Sequence, residues 1–550
     1  MRALNVLLSI VVSVVLALVV FEVGLRLLGM GPQPTINRFD PDLGWSKTPS
    51  SRSERKTREF DVTYEINSLG LRGDEMSSPR KPDGTYRVVM LGDSFVLGYT
   101  VDRRDLFVDQ LERWWRAEGR KIDVINAGTE GYSTDQEVLW LALHGKEFQP
   151  DLVLLFPYDN DLYWNGQTAY LRFPKPRYLP SGLLEESKLA DPGPRSKWES
   201  FAIGALASRF NARQERWSPD DGLHKVDMES AAFFRDTPDF MRDANKRTDG
   251  ALVALRKTCA GLGAELAIVP IPNKASIEPR AKTALEDAIM GRSWKTSVRN
   301  SIVNLVRKMK GEPPIPAIEA DPHIGIDAWS PDIPLKKFLS IAKREGITAF
   351  DPRDALREAF AQGGEPLYYE RDWHFNPAGN RAFARFVHDQ IDAAHIIPPP
   401  FAAAHAAELP MPPQPSRLPG WVVPYGVLLA ILSVMYALTY RDEPAWLAPL
   451  KVGALLALVF AIAIGGNRLL GALPPAMAAP IALVFVLAIL GFVLFKLGRR
   501  LSTIAELFAA FVGRGHWYLM PLVVVLLSVG SLLVVAASSP LVAPFIYTLF

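Results

Sequence analysis

Tyr86-Arg87-Val88-Val89-Met90-Leu91-Gly92-Asp93-Ser94-Phe95-Val96-Leu97-Gly98-Tyr99 decides the fold. A short apolar run ends in Gly-Asp-Ser and gives way at once to a turn. A buried strand of this kind delivers a polar side chain to the carboxyl edge of a parallel sheet, where open α/β sheets bind ligands. Four further apolar or β-branched runs lie downstream at 122–126, 151–157, 264–270 and 347–351, separated by helical stripes at 106–118, 135–148, 249–262 and 335–344. A final helix is expected to start at Pro377, with Asn376 as its N-cap and Phe383, Phe386, Val387 and Ile391 on one face. Strand and helix alternating in this way argue for a parallel sheet with helices on both faces.

Polar residues gather where these strands end. Asn126-Ala127-Gly128-Thr129-Glu130-Gly131-Tyr132 follows the second strand, and Asp159-Asn160-Asp161 follows the third. Asp372-Trp373-His374 stands just before the last helix. Taken singly these are weak signals, since a Gly-Asp-Ser triplet arises by chance and such a serine more often caps a helix or closes a turn. Taken in order, over about residues 86–390, they resemble the SGNH (GDSL-like) hydrolase family: block I with Ser94, block II with Gly128, block III with Asn160 and Asp161, and a terminal Asp–His block.

The resemblance implies a three-layer α/β/α, flavodoxin-like domain, for which we expect the strand order 2-1-3-4-5. It implies Ser94 as nucleophile, His374 as general base and Asp372 as its orienting partner. It also implies an oxyanion hole from the Ser94 and Gly128 backbone N–H groups and the Asn160 amide. The chemistry needs these types. A serine hydroxyl is a weak nucleophile until an imidazole takes its proton, and a carboxylate fixes the imidazole tautomer. A glycine lets backbone approach a developing oxyanion, and an asparagine amide donates to it without adding charge.

Two departures from the family pattern stand out. Tyr158 occupies the place of a common glycine two residues before Asn160, and the terminal block reads D-x-H, with Arg371 where the commoner D-x-x-H has its Asp. In an extended segment residues i and i+2 face the same side, so Asp372 is expected to reach His374, with Glu370 as the weaker alternative. D-x-H also occurs in relatives that act on exopolysaccharides. Asp93 is expected to bond within its loop, Asp161 to pair with an Arg or cap a turn, Tyr132 and Trp373 to pack, and His144 and His388 to be solvated or core histidines.

Composition excludes other classes. Lys and Arg total 61 against 59 Asp and Glu, without a long basic run, so no nucleic-acid partner is expected. Cys259 is the only cysteine, which excludes an intrachain disulfide and a multi-cysteine zinc site. No HExxH motif or carboxylate cluster points to a metal, and no cofactor is expected.

The apolar residues are unevenly spread. Residues 4–28 form one run long enough to span a bilayer, with Glu22 and Arg26 a turn apart and expected to pair, and four more runs occupy 421–440, 446–470, 477–495 and 517–537. Arg441, Lys451, Lys496, Arg499, Arg500 and Arg514 fall on one side of that alternation and Arg468 on the other, which orients the soluble part outward. The chain therefore divides into an anchor at 1–30, a lead-in at 31–85, a catalytic domain at 86–397, a Pro-rich linker at 398–420, three spans within 421–500, and an interfacial helix, last span and tail at 501–550. Insertions at 163–247 and 273–334 are long for α/β connections and read as lids, binding loops or small subdomains. The tail, ending Ala543-Pro544-Phe545-Ile546-Tyr547-Thr548-Leu549-Phe550, resembles a small uncharacterised bacterial membrane family, which implies membrane-protein partners.

These readings combine into an expectation of a serine esterase or O-acyltransferase on the periplasmic face of the bacterial inner membrane, acting on an acylated envelope glycan or glycolipid. The alternative is a catalytically idle glycan-binding scaffold that recruits membrane partners.

Overall fold

The computed structural model describes residues 36–57, 59–185, 189–194, 200–204, 216–217, 226–289, 328–399, 422–439, 444–454 and 456–457, with positions 18 and 22. The chain divides into two compact units, one made of residues 1–33, 195–212 and 415–550, the other of 34–194 and 213–414.

The second unit is built on five parallel strands: β1 (Tyr86–Gly92), β2 (Ile122–Asn126), β3 (Leu152–Phe156), β4 (Glu265–Ile268) and β5 (Thr348–Ala349). Their spatial order is β5-β4-β3-β1-β2, the expected 2-1-3-4-5. The side-chain period of two sorts each strand between two cores. Val89, Leu91, Ile125, Val153 and Leu155 pack with Val138, Leu141, Leu252, Leu255, Phe338 and Ile341 on one face. Val88, Met90, Leu152, Leu154 and Phe156 pack with Leu111, Trp115, Leu356, Phe383, Val387 and Ile391 on the other. The helices behind these cores are Thr134–Phe148, Asp239–Leu262 and Ile333–Glu345 on the first face, and Phe107–Ala117, Arg353–Gly363 and Pro377–Ala393 on the second. The last begins as its sequence requires, Asn376 accepting the Gly379 N–H at 2.9 Å ahead of Pro377.

One helix departs from expectation. Asp239–Leu262 starts ten residues before the apolar stripe read at 249, because its first turns bury Met241, Ala244 and Thr248, small or mixed side chains that leave little periodic signal. The lead-in is also more ordered than a linker. Asn37–Asp40 pairs with Gly44–Lys47 and Ser51–Lys56 with Asp61–Ile66, two antiparallel hairpins in the same unit as the sheet. Asn67 then closes a turn, its side chain accepting the Leu69 and Leu71 N–H groups at 3.0 and 2.9 Å.

In the first unit the Glu22 carboxylate accepts the Ala202 and Ile203 N–H groups at 2.8 and 3.1 Å, which ties position 22 to a piece of the first insertion. Its expected partner Arg26 lies outside the described residues. Val422–Thr439, within the span expected at 421–440, is a helix of 18 residues. Among the described residues no helix is long and apolar enough to cross a membrane. The expected spans at 477–495 and 517–537, nearly all of that at 4–28, most of that at 446–470, nearly all of the linker and the tail lie outside the described residues.

Candidate active site

Ser94 opens a single turn of helix, Ser94–Leu97, at the carboxyl end of β1. Asp93 caps that turn, its carboxylate accepting the Phe95 N–H at 2.8 Å, the local role expected of it. Gly98 ends it at φ 79°, where an added Cβ would lie 2.5 Å from the Arg72 guanidinium. As the first helical residue, Ser94 has an N–H with no acceptor inside the helix.

His374 meets this turn from the loop before the last helix. Its Nε2 is 2.7 Å from Ser94 Oγ, and its Nδ1 is 2.6 Å from Asp372 Oδ1. Asp372 reaches it through an Asx turn rather than through the extended segment expected: its Oδ1 also accepts the His374 backbone N–H at 3.1 Å. Glu370 is exposed, while Asp372 is 6 % exposed. The imidazole lies against Phe95 and stacks on Tyr99, whose ring centroid is 5.1 Å away at 28°. Burial pulls the His374 pKa down, but the Asp372 carboxylate, helped by Asp93 and Glu130, outweighs it and sets the result above the ordinary 6.5. Asp372 is correspondingly held below its usual range, burial being outweighed by the imidazole and its hydrogen bonds.

Gly128 is close by for a reason of packing. A Cβ there would stand 2.3 Å from the Leu97 nitrogen and 2.6 Å from the Val96 carbonyl carbon, so only glycine lets the loop after β2 touch the Ser94 turn. Its N–H, expected to face an oxyanion, donates instead to Asn126 Oδ1 at 3.0 Å. The Asn126 amide donates in turn to the Val96 carbonyl at 2.8 Å, so this side chain staples the two loops. Asn160 begins the turn after β3, and its side-chain oxygen is buried without a hydrogen-bond partner among the described residues. Among the described residues Asp161 pairs with no Arg; it is fully buried and accepts from Thr134 Oγ1 at 3.0 Å and from the Tyr158 N–H of its own turn at 3.4 Å. Beside it both Glu137 oxygens are buried without a partner among the described residues, and burial together with Asp161, Asp93 and Asp135 pushes its pKa well above the carboxylate range.

Sequence reasoning missed the contribution of the lead-in. Lys47, 3 % exposed, donates to the Gly128 carbonyl at 2.6 Å and to Thr129 Oγ1 at 2.7 Å, and burial pushes its pKa down to about 7. Arg72 donates to the carbonyls of Leu97 and Val101 at 2.7 and 2.9 Å. Arg55 lies over the ring of Tyr99, 3.9 Å from its centroid. Glu59 accepts the backbone N–H groups of both Arg371 and Asp372 at 2.9 Å. These contacts span long sequence separations, and most of them join polar side chains to backbone, so no local pattern announces them.

One other cluster could gather metal-ligand atoms among the described residues: Glu118, His388 and Asp392. Arg120 already occupies it, 2.5 Å from Asp392 and 3.4 Å from Glu118, which neutralises the carboxylates a cation would need.

Solved structures similar to this chain include the psychrotrophic esterase EstA from Pseudoalteromonas sp., at 12 % identity, covering 56 % of this chain and 98 % of that one with a TM-score of 0.27. The lipase/acylhydrolase from Enterococcus faecalis gives 13 %, 56 %, 97 % and 0.26 on the same measures. A GDSL-like lipase from Bacteroides thetaiotaomicron gives 11 %, 57 %, 92 % and 0.24. At this level of superposition they are similarities alone. Residues 501–550 match a family of unknown function, DUF5989, the stretch in which the tail was read. No curated protein matches the chain.

Proposed function

We propose that the second unit is a serine acyl-transfer enzyme of the SGNH type, an esterase or an O-acyltransferase, with Ser94, His374 and Asp372 as its relay. The observation that carries this is the continuous chain from Ser94 Oγ through both His374 nitrogens to Asp372, at 2.7 and 2.6 Å, at the carboxyl edge of the parallel sheet. In the first step Ser94 Oγ attacks an ester carbonyl carbon while His374 Nε2 takes the hydroxyl proton. The carbonyl oxygen becomes an oxyanion facing the Ser94 N–H and the Asn160 amide, with Gly128 joining if Asn126 releases it. Collapse expels the alcohol, which takes the proton from His374, and leaves an acyl-Ser94. A water or a sugar hydroxyl, deprotonated by His374, then attacks this ester and restores the serine.

We place this chemistry outside the inner membrane, on an acylated envelope glycan or lipid-linked glycan, with the apolar segments as anchors and the tail as a docking element for membrane partners. The positive-charge bias and the long insertions support that reading. Full-length protein in membranes is expected to hydrolyse an aryl acetate, and Ser94→Ala to abolish it. A folded wild type that turns over no aryl ester would favour the idle glycan-binding scaffold instead. Cysteine accessibility at Ser196 from outside and at Ser502 only from inside tests the orientation; the reverse pattern would overturn the envelope substrate.

A further inference from the structure

We infer that Glu59, in the lead-in that precedes the sheet, is a positioning residue for the Asp372–His374 pair. This rests on the proposed relay and deepens it. The hairpin made of Ser51–Lys56 and Asp61–Ile66 carries at its tip Thr57, Glu59 and Phe60, and the tip is folded on itself, Thr57 Oγ1 accepting the Glu59 and Phe60 N–H groups at 3.2 and 3.0 Å. Phe60 sets the tip in place against Tyr99 and Tyr369, with ring centroids 6.2 and 5.4 Å away. From there one Glu59 oxygen accepts the Arg371 N–H and the other the Asp372 N–H, both at 2.9 Å.

Two successive amides are thereby locked to one half-buried carboxylate, a charge-assisted and geometrically specific clamp. It acts at the point where the D-x-H spacing is most demanding. Asp372 must turn back two residues to meet both the backbone and the ring of His374, and the orientation of its own N–H fixes where that carboxylate starts. The residue on the other side of the clamp, Arg371, stands where the commoner pattern carries its Asp, so the hairpin supplies a constraint that the short loop cannot supply for itself. Misplacing a catalytic group by about 1 Å can cost about 10²-fold in rate.

The experiment uses the full chain in membranes or detergent with an aryl acetate, comparing wild type, Glu59→Gln, Glu59→Asp and, as a control on the same hairpin, Glu65→Gln, whose exposed side chain meets only Arg52 among the contacts described. An amide in place of the carboxylate can accept one N–H but turns a donor toward the other. The expected result for Glu59→Gln is a kcat lower by about 10- to 100-fold at a KM within about twofold of wild type. Its acid limb of kcat/KM should move to lower pH, because a loosened Asp372 no longer raises the His374 pKa. The other charges around that ring, Asp93, Glu130 and Asp159, with Arg55 over Tyr99, are unchanged by the substitution. Glu59→Asp, keeping the charge at shorter reach, should fall between the two, and Glu65→Gln should match wild type. A kcat per folded molecule equal to wild type in Glu59→Gln, or in Glu59→Asp should the amide variant not fold, would overturn the inference and leave the relay standing. An inactive wild type would overturn both.

Discussion

Two histidines fourteen residues apart, His374 and His388, both rest against carboxylates, and the contrast between them separates a candidate catalytic group from a structural one. His374 gives one nitrogen to Asp372 and the other to a serine hydroxyl. His388 gives one nitrogen to Asp389 at 3.0 Å and the other to Glu118 at 2.7 Å, so both its ring nitrogens meet acids and, among the described residues, neither meets a nucleophile. A carboxylate beside an imidazole is therefore no signature of catalysis. What distinguishes His374 is the group on its far side, and the sheet edge that presents it.

The comparison can be broken most forcefully at the two rings themselves. His374→Ala is expected to lower aryl-acetate turnover by at least about 10⁴-fold, since the serine loses its proton acceptor. In the wild type His374 must be neutral to act, and its pKa is raised, so activity should be lost as pH falls through a midpoint above the ordinary 6.5. A midpoint well below that would contradict the Asp372 contact. Asp372→Asn comes next, with a loss of up to about 10⁴-fold from the wrong tautomer, whereas Glu370→Gln should change little. Asn160→Ala should cost about 10²- to 10³-fold if its amide faces the oxyanion, with KM little altered. At the small end, His388→Gln should leave turnover within about twofold of wild type and stability within about 1 kcal/mol, since the ring is only half-buried and meets partly exposed acids. A large loss of rate from His388→Gln would erase the distinction.

The same contrast explains what could be read from the chain and what could not. The sheet was legible because its central strands β1 and β3 are short apolar runs buried on both faces, and the expected ranges meet the observed strands, 122–126 coinciding with Ile122–Asn126 and the others differing by a residue or a few at their ends. The hairpins of the lead-in were not, because Ser51-Arg52-Ser53-Glu54-Arg55-Lys56 turns Ser53 and Arg55 inward where alternation would call for apolar residues. Polar inward faces work there because Arg55 meets Tyr99 and Glu130, partners far along the chain. At the site, Ser94, Asn160 and His374 could be named from ordered motifs. The Asx turn at Asp372, the Asn126 staple that takes the Gly128 N–H, and the Glu59 clamp are each set by backbone direction, which side-chain type does not encode.

The central claim is that the hydroxyl of Ser94 is the nucleophile, and labelling with a fluorophosphonate followed by peptide mapping tests it most directly. The account predicts one phosphonyl group per chain on Ser94, absent after Ser94→Ala and strongly slowed by His374→Ala. A folded wild type that takes up no label, or a label that persists in Ser94→Ala on another residue, would contradict it.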